Sequence, residues 1–159
     1  MIAQVRLRIA TAAIAVAITA VALSGCGSGT VSPRALRARA GRVCTASVRR
    51  SDRIALPRTN SGGTAFLAQG IKIFQSELDA LRKLAPPRDL ATAFHIAVSD
   101  SRQQLDALIG TEHNLRHGDD PVVAIKQLDV ELGAINDRDR EAWRAVGVPA
   151  CTNLSPVHG

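Results

Sequence analysis

Two histidines four residues apart have the spacing in this sequence best suited to metal chemistry. His113 and His117 share one face of a predicted helix, and Glu112, Asp119 and Asp120 lie nearby. Imidazole and carboxylate groups at such spacing can bind a transition metal. The pair also lies at the predicted end of the helix, where histidine complements the helix dipole and binds the last carbonyls. We expect this capping role, with a metal site at His113 and His117 as the weaker alternative.

The sequence motifs of familiar enzyme classes are missing. There is no G-x-S-x-G, H-E-x-x-H, C-x-x-C, P-loop or G-x-G-x-x-G motif, and no E-x-x-H pair of the kind that di-iron bundles use. We therefore predict that the protein is not an enzyme and carries no cofactor.

The N-terminal segment is typical of a secretory signal. Arg6 and Arg8 precede an uncharged, mostly apolar run of 15 residues from Ile9 to Leu23. A bilayer-spanning helix needs roughly 20 apolar residues, so this run favours a cleaved signal over a permanent membrane helix.

The end of this segment, Leu23-Ser24-Gly25-Cys26, resembles the lipobox of bacterial lipoproteins. The resemblance implies a diacylglycerol thioether on Cys26, cleavage after Gly25 and a mature chain anchored in the membrane by its acyl chains. An ordinary secretory signal cut at small residues is the alternative. We divide the chain into a signal peptide (1–25), a lipidated cysteine with a Gly/Ser-rich flexible tether (26–33), a helical domain (34–155) and a C-terminal tail (156–159).

Two further cysteines remain once Cys26 carries lipid. Cys44 and Cys151 allow a single pairing, and an exported compartment permits disulfides. A zinc site is disfavoured because two isolated cysteines supply too few ligands. We predict a disulfide between Cys44 and Cys151.

Apolar residues recur at intervals of three and four along four segments, approximately 33–55, 64–84, 86–117 and 121–146. Pro86-Pro87, Gly118 and Asp119-Asp120-Pro121 provide start and stop signals between these segments. No strand-like alternation competes with the helical pattern. We predict an all-α, four-helix up-down bundle with one disulfide.

Three polar residues interrupt the apolar seams of the predicted helices. Ser101, Glu112 and Asp139 occupy seam positions, which a polar layer, a small pocket or an open bundle end would explain equally well. Trp143 lies beside the seam of the fourth helix. We expect Trp143 to pack in the core, with a ligand or partner anchor as the alternative.

The predicted domain resembles a group of small actinobacterial lipoproteins. The resemblance rests on a cysteine in a basic first helix, on Leu81-x-x-Leu84-x-Pro86-Pro87, and on the closing W-R-A-V-G-V-P-A-C at residues 143–151. It implies an all-helical domain with one disulfide between the first helix and the end of the chain, and it transfers no functional residues. Val146 stands where that group usually has leucine.

Positive charge is concentrated at the start of the predicted domain. Residues 34–58 contain eight arginines and one acidic residue, whereas residues 59–159 are net acidic. A basic segment beside a lipid tether can contact anionic head groups, and Arg49, Arg50 and Arg53 are the candidate residues. A solvated helix face is the simpler interpretation. Nucleic acid is disfavoured because no aromatic residues interleave these arginines.

These features predict an extracytoplasmic, membrane-anchored lipoprotein that binds a partner at the cell envelope. The sequence does not identify that partner. The alternative function is a carrier of a small hydrophobic ligand inside the bundle. An enzyme is a third and less favoured interpretation, which a buried polar cluster converging from several helices would support.

Overall fold

The computed structural model describes residues 31–58 and 62–152, and all regular structure in this part of the chain is helical. The elements are α1 (Pro33–Ser51), α2 (Gly63–Arg82), α3 (Arg88–Arg116), α4 (Pro121–Val146) and a 3₁₀ turn (Pro149–Cys151). Successive helices run in opposite directions along the bundle. The predicted all-α, four-helix fold is therefore confirmed.

Local capping chemistry fixes the starts of α1 and α4. The Ser32 hydroxyl accepts a hydrogen bond from a backbone N–H in the first turn of α1 at 3.2 Å, and Pro33 follows as the first helical residue. The Asp120 carboxylate accepts two backbone N–H groups of the first turn of α4 at 2.9 and 3.0 Å, directly before Pro121. Each cap satisfies amides that have no partner within the helix, and proline costs nothing at that position.

Glycine ends both α3 and α4 in a left-handed conformation. Gly118 has a φ of 96° and Gly147 a φ of 81°, and each closes a Schellman motif with the carbonyls of the last turn. At Gly147 a second constraint applies, because a Cβ atom there would lie 2.8 Å from Nε of Arg37. That nitrogen donates a 2.8 Å hydrogen bond to the carbonyl oxygen of Val146, joining α1 to the end of α4.

The first helix is shorter than its sequence predicts, ending at Ser51 instead of residue 55. Beyond Ser51 the N–H groups of Arg53 and Ile54 bond to carbonyls three residues earlier, the tighter spacing with which helices commonly finish. Pro57 follows and disfavours a helical conformation at the residue before it. The predicted bounds of the other helices differ from the observed bounds by no more than two residues.

The interior contains two apolar clusters. The disulfide-end cluster surrounds Cys44 and Cys151, whose Cα atoms lie 5.1 Å apart, and both cysteines are fully buried. The turn-end cluster is built from α2, α3 and α4 near the α3–α4 turn; its members are Ile71, Phe74, Leu78, Leu105, Ala107, Leu108, Leu128 and Leu132. The predicted disulfide is thus confirmed, and the 3₁₀ turn folds back against α1 as that pairing requires.

The turn-end cluster leaves part of the predicted seam outside the core. Ile125, which the sequence places in the seam of α4, is 39% exposed. The physical reason is that α1 contributes no residue to this cluster, so the first turns of α4 pack on α3 with one side open. Trp143 behaves as predicted and is fully buried, with its ring in edge contact with Phe94.

Candidate functional site

A layer of buried polar side chains lies between the two apolar clusters. Every helix of the bundle contributes to it, because on each helix a polar residue falls on the face that the neighbouring apolar residues bury. We call this set the polar layer; its members are Ser47 of α1, Glu77 of α2, Asp100, Ser101 and Gln104 of α3, and Asp139 of α4.

Glu77 is the most deeply buried carboxyl group of the layer, with 1% of its surface exposed. Within the part of the chain that the structure describes, neither carboxylate oxygen has a partner in hydrogen-bonding geometry. Burial raises the pKa of Glu77 to about 8, and the nearby Asp139 raises it further. The Ser47 hydroxyl and the Arg50 guanidinium lower this pKa, but less than burial raises it. The Ser47 oxygen itself accepts a 3.1 Å hydrogen bond from Arg50.

Asp139 forms the second protonatable centre of the layer. The Ser101 hydroxyl donates to its Oδ1 atom at 3.0 Å. Burial raises the pKa of Asp139 to about 6, while Ser101, Gln104 and Trp143 oppose that increase and Asp100 adds to it. Trp143 lies one helical turn further along α4, and its buried indole Nε1 has no partner within hydrogen-bonding geometry.

The outer edge of the layer is covered by an arginine. Nη2 of Arg138 lies 3.1 Å from Oδ1 of Asp100, and the Gln103 amide reaches the same oxygen at 3.3 Å. Oδ2 of Asp100 is buried and has no partner. The Asp100 charge is therefore compensated from the solvent side, whereas Glu77 and Asp139 have no comparable ion pair with another described residue.

The arrangement is suited to holding protons near neutral pH. Desolvation favours the neutral form of a carboxyl group, and two such groups with pKa values of about 6 and 8 exchange protons in the range where most proteins work. Within residues 31–58 and 62–152, no three or more His, Cys, Asp or Glu side chains are grouped to hold a metal ion.

Two of the three seam residues singled out from the sequence belong to the layer. Ser101 and Asp139 meet there, which selects a polar layer among the explanations that the sequence left open. Glu112 does not join them. It lies near the end of α3 and pairs with Arg116, with Oε1 and Nε 2.5 Å apart.

The sequence reasoning missed Glu77. A signal for it exists, since Glu77 follows Phe74 by three residues and precedes Leu81 by four. Both neighbours are buried, so helical spacing places Glu77 on the inner face of α2.

The histidine pair lies at the end of α3, outside the polar layer. The two rings are 4.1 Å apart, and Nδ1 of His117 lies 2.8 Å from the carbonyl oxygen of His113. This contact is the capping interaction that the sequence favours for His117.

Charge divides between the two halves of the bundle. Residues 31–83, which contain α1 and α2, carry eleven basic and three acidic residues, whereas residues 84–152 carry seven basic and eleven acidic residues. Arg49, Arg50 and Arg53 are exposed at the end of α1. We call residues 31–83 the basic hairpin and residues 84–152 the acidic hairpin.

A groove of about 560 Å³ runs between α3 and α4 at the turn end of the acidic hairpin. Four carboxylates and three carboxamides line it, together with smaller and apolar side chains; the carboxylates are Asp106, Asp119, Asp120 and Glu131. Among the described residues, no lysine or arginine lines this groove, and no member of the polar layer does. The structure therefore places this cleft and the buried acid–base groups in different parts of the bundle.

Several predicted features lie outside the described residues. These are the signal peptide with Gly25, the lipidation site Cys26, most of the tether and the tail at 156–159. None of the described helices combines the length and apolar character required to cross a membrane. A comparison of the chain with models of protein families, with curated proteins and with solved structures finds no match.

Proposed function

We propose that this protein is a lipid-anchored extracytoplasmic lipoprotein that acts as a binding module at the cell envelope. Cys26 carries the lipid, and the resemblance to the small actinobacterial lipoprotein group is part of the same proposal. The observation that carries the proposal is the division of charge between the hairpins, because the basic hairpin begins five residues after Cys26. A basic surface beside an acyl anchor gains about 1 kcal/mol per charge near anionic head groups.

The position of Val31 marks where the basic hairpin begins in the bundle. Its backbone N–H bonds to the carbonyl oxygen of Ala85, so the chain enters the bundle at the connection between α2 and α3. Arg49 lies 16 residues beyond Pro33 along α1, about 24 Å at 1.5 Å per residue, so a membrane contact that includes Arg49 and Arg53 runs along the basic hairpin. In this proposal the basic hairpin lies along the membrane, and the groove of the acidic hairpin faces away from it toward a partner.

Vesicle co-sedimentation tests the membrane contact. A variant with Cys26 replaced by alanine should still bind anionic vesicles, and binding should weaken as salt rises, because the Debye length falls from about 10 Å at 0.1 M to about 3 Å at 1 M. Arg49→Glu with Arg53→Glu should weaken binding at least tenfold. Arg50 is left unchanged because it contacts Ser47.

The matched control reverses two exposed bases on the acidic hairpin, Lys126→Glu with Arg144→Glu. This control should bind anionic vesicles much better than the α1 variant. Equal binding to neutral and anionic vesicles, or equal losses in the two double variants, would contradict the proposed membrane face.

The acidic groove supports an interaction with a partner that carries positive charge. Its carboxylates do not suit a hydrophobic ligand, so the groove favours the binding module over the hydrophobic carrier. Asp119→Lys with Glu131→Lys should abolish recovery of partners crosslinked in the native envelope. The exposed Glu141→Lys should leave recovery unchanged, and identical partner sets from all three proteins would exclude the groove as the binding surface.

A further inference from the structure

The second half of α1 is held to the bundle differently from the first half. Before Cys44, Leu36 and Ala40 are fully buried in the disulfide-end cluster, and Arg37 bonds to the end of α4. After Cys44, Ser47 is the one residue of α1 that is fully enclosed. The last two turns of this helix therefore rest on a polar contact with α2.

That polar contact is made to the carboxyl group least able to carry a charge in place. The Ser47 hydroxyl lies beside the Glu77 carboxyl group, but neither carboxyl oxygen has a partner within hydrogen-bonding geometry among the described residues. When Glu77 is protonated, its burial costs much less than burial of the charged form. When it is ionised, the same burial leaves a carboxylate without the hydrogen bonds that water would give it.

Among the described charged groups around Glu77, only Arg50 of α1 favours its ionised form. Arg50 of α1 is an attractive charge, but its side chain reaches solvent while Glu77 does not. Asp139 of α4 is a repulsive charge, and Asp100 of α3 repels Asp139 in turn, although Arg138 pairs with Asp100. Movement of the Ser47 turn of α1 off α2 would bring an ionised Glu77 into contact with water and Arg50 together.

We propose that Glu77 and Asp139 form a proton-operated latch that holds the Ser47 turn of α1 against α2. With both carboxyl groups protonated, the helix packs as the structure describes through Ser51. Loss of the two protons to solvent releases the turns after Cys44, while the disulfide keeps the turns before Cys44 in place. Burial sets the pH range of this change, because it raises the pKa of Asp139 to about 6 and the pKa of Glu77 to about 8.

Hydrogen exchange on the full, disulfide-bonded chain tests the latch directly. After correction for intrinsic exchange rates, amide protection in residues 45–51 should fall at least tenfold between pH 5 and pH 9. Protection in residues 36–43 should change much less. Glu77→Gln keeps the shape of the side chain without its charge, and it should hold residues 45–51 protected at pH 9.

The matched control is Glu141→Gln, which makes the same chemical change on the surface of α4 and should leave the wild-type response intact. Trp143 provides a second readout that needs no variant, because it is the one tryptophan of the chain and its pyrrole ring lies near Asp139. Its emission should shift over the same pH range. Equal protection of residues 45–51 at pH 5 and pH 9, or an unchanged loss of protection in Glu77→Gln, would overturn the proposal.

Discussion

Removal of the disulfide should cost this bundle a large part of its stability. Cys44 and Cys151 are 107 residues apart, so their bond closes nearly the whole helical domain into a loop. The chain-entropy model assigns about 4–5 kcal/mol to a loop of this length. Native domains have free energies of unfolding of about 5–15 kcal/mol. A loss of this size would therefore unfold a bundle whose stability lies near the lower end of that range.

The measurement is urea unfolding of the double variant Cys44→Ser with Cys151→Ser, followed by circular dichroism. Replacing both cysteines leaves no free thiol in the buried site. We expect the free energy of unfolding to fall by about 4 kcal/mol or more, because two fully buried sulfur atoms also lose their packing in the disulfide-end cluster. Cys26→Ser is the control and should leave unfolding unchanged.

A loss below about 1 kcal/mol would refute this reasoning, since it would mean that α1 and the 3₁₀ turn stay paired without the bond. Equal losses from the double variant and from Cys26→Ser would also contradict it. The structure makes a further distinction within the molecule: exchange protection should fall in α1 before it falls in the turn-end cluster, which contains no residue of α1.

Three other perturbations follow from particular residues. Because burial raises the pKa of Glu77 from 4.5 to about 8, the folded state binds more protons than the unfolded state between these values, and the contribution of Glu77 to the free energy of unfolding should be greatest below pH 4.5. This contribution should fall by up to about 5 kcal/mol as pH rises through 8. Urea midpoints at several pH values measure this slope; Glu77→Gln should flatten it, and a wild type whose stability does not change with pH would disprove the reasoning. Gly147→Ala should destabilise the bundle by more than Gly118→Ala, because both need a positive φ but the Cβ at 147 would also meet Arg37; equal melting temperatures would argue against that contact. Gly133→Ala should stabilise α4 by about 0.5–1 kcal/mol, as the position is helical with open space around it, and a lower urea midpoint would contradict this.

The local parts of the fold could be predicted from the sequence because their signals are local. Asp120 and Pro121 start α4, because the Asp120 carboxylate accepts hydrogen bonds from first-turn N–H groups and Pro121 has no N–H group that needs a partner. Gly118 and Gly147 end helices because only a residue without a Cβ atom adopts their positive φ easily. The predicted end of α1 at residue 55 was wrong, because Ile54 continues the apolar spacing of the helix although the chain turns after Ser51.

The site could be predicted only in part, because it depends on how the helices align. The sequence identifies Ser101 and Asp139 as polar residues in apolar seams. It does not show that the Ser101 hydroxyl lies 3.0 Å from Oδ1 of Asp139. Glu77 escaped notice because a single glutamate on an amphipathic helix is normally solvated. Helical spacing places Glu77 on the inner face of α2, but its full burial also depends on the packing of α1 over α2, a contact between separate segments of the chain.

The proposed lipid anchor is the central claim, and the mass of the mature N-terminus tests it most directly. The protein is isolated from the membrane fraction of its native envelope and digested, and its N-terminal peptide is analysed by mass spectrometry. The proposal predicts a peptide that begins at Cys26 and carries a diacylglyceryl group on the sulfur. A mature chain that begins at another residue, or a Cys26 that carries no lipid, would contradict it.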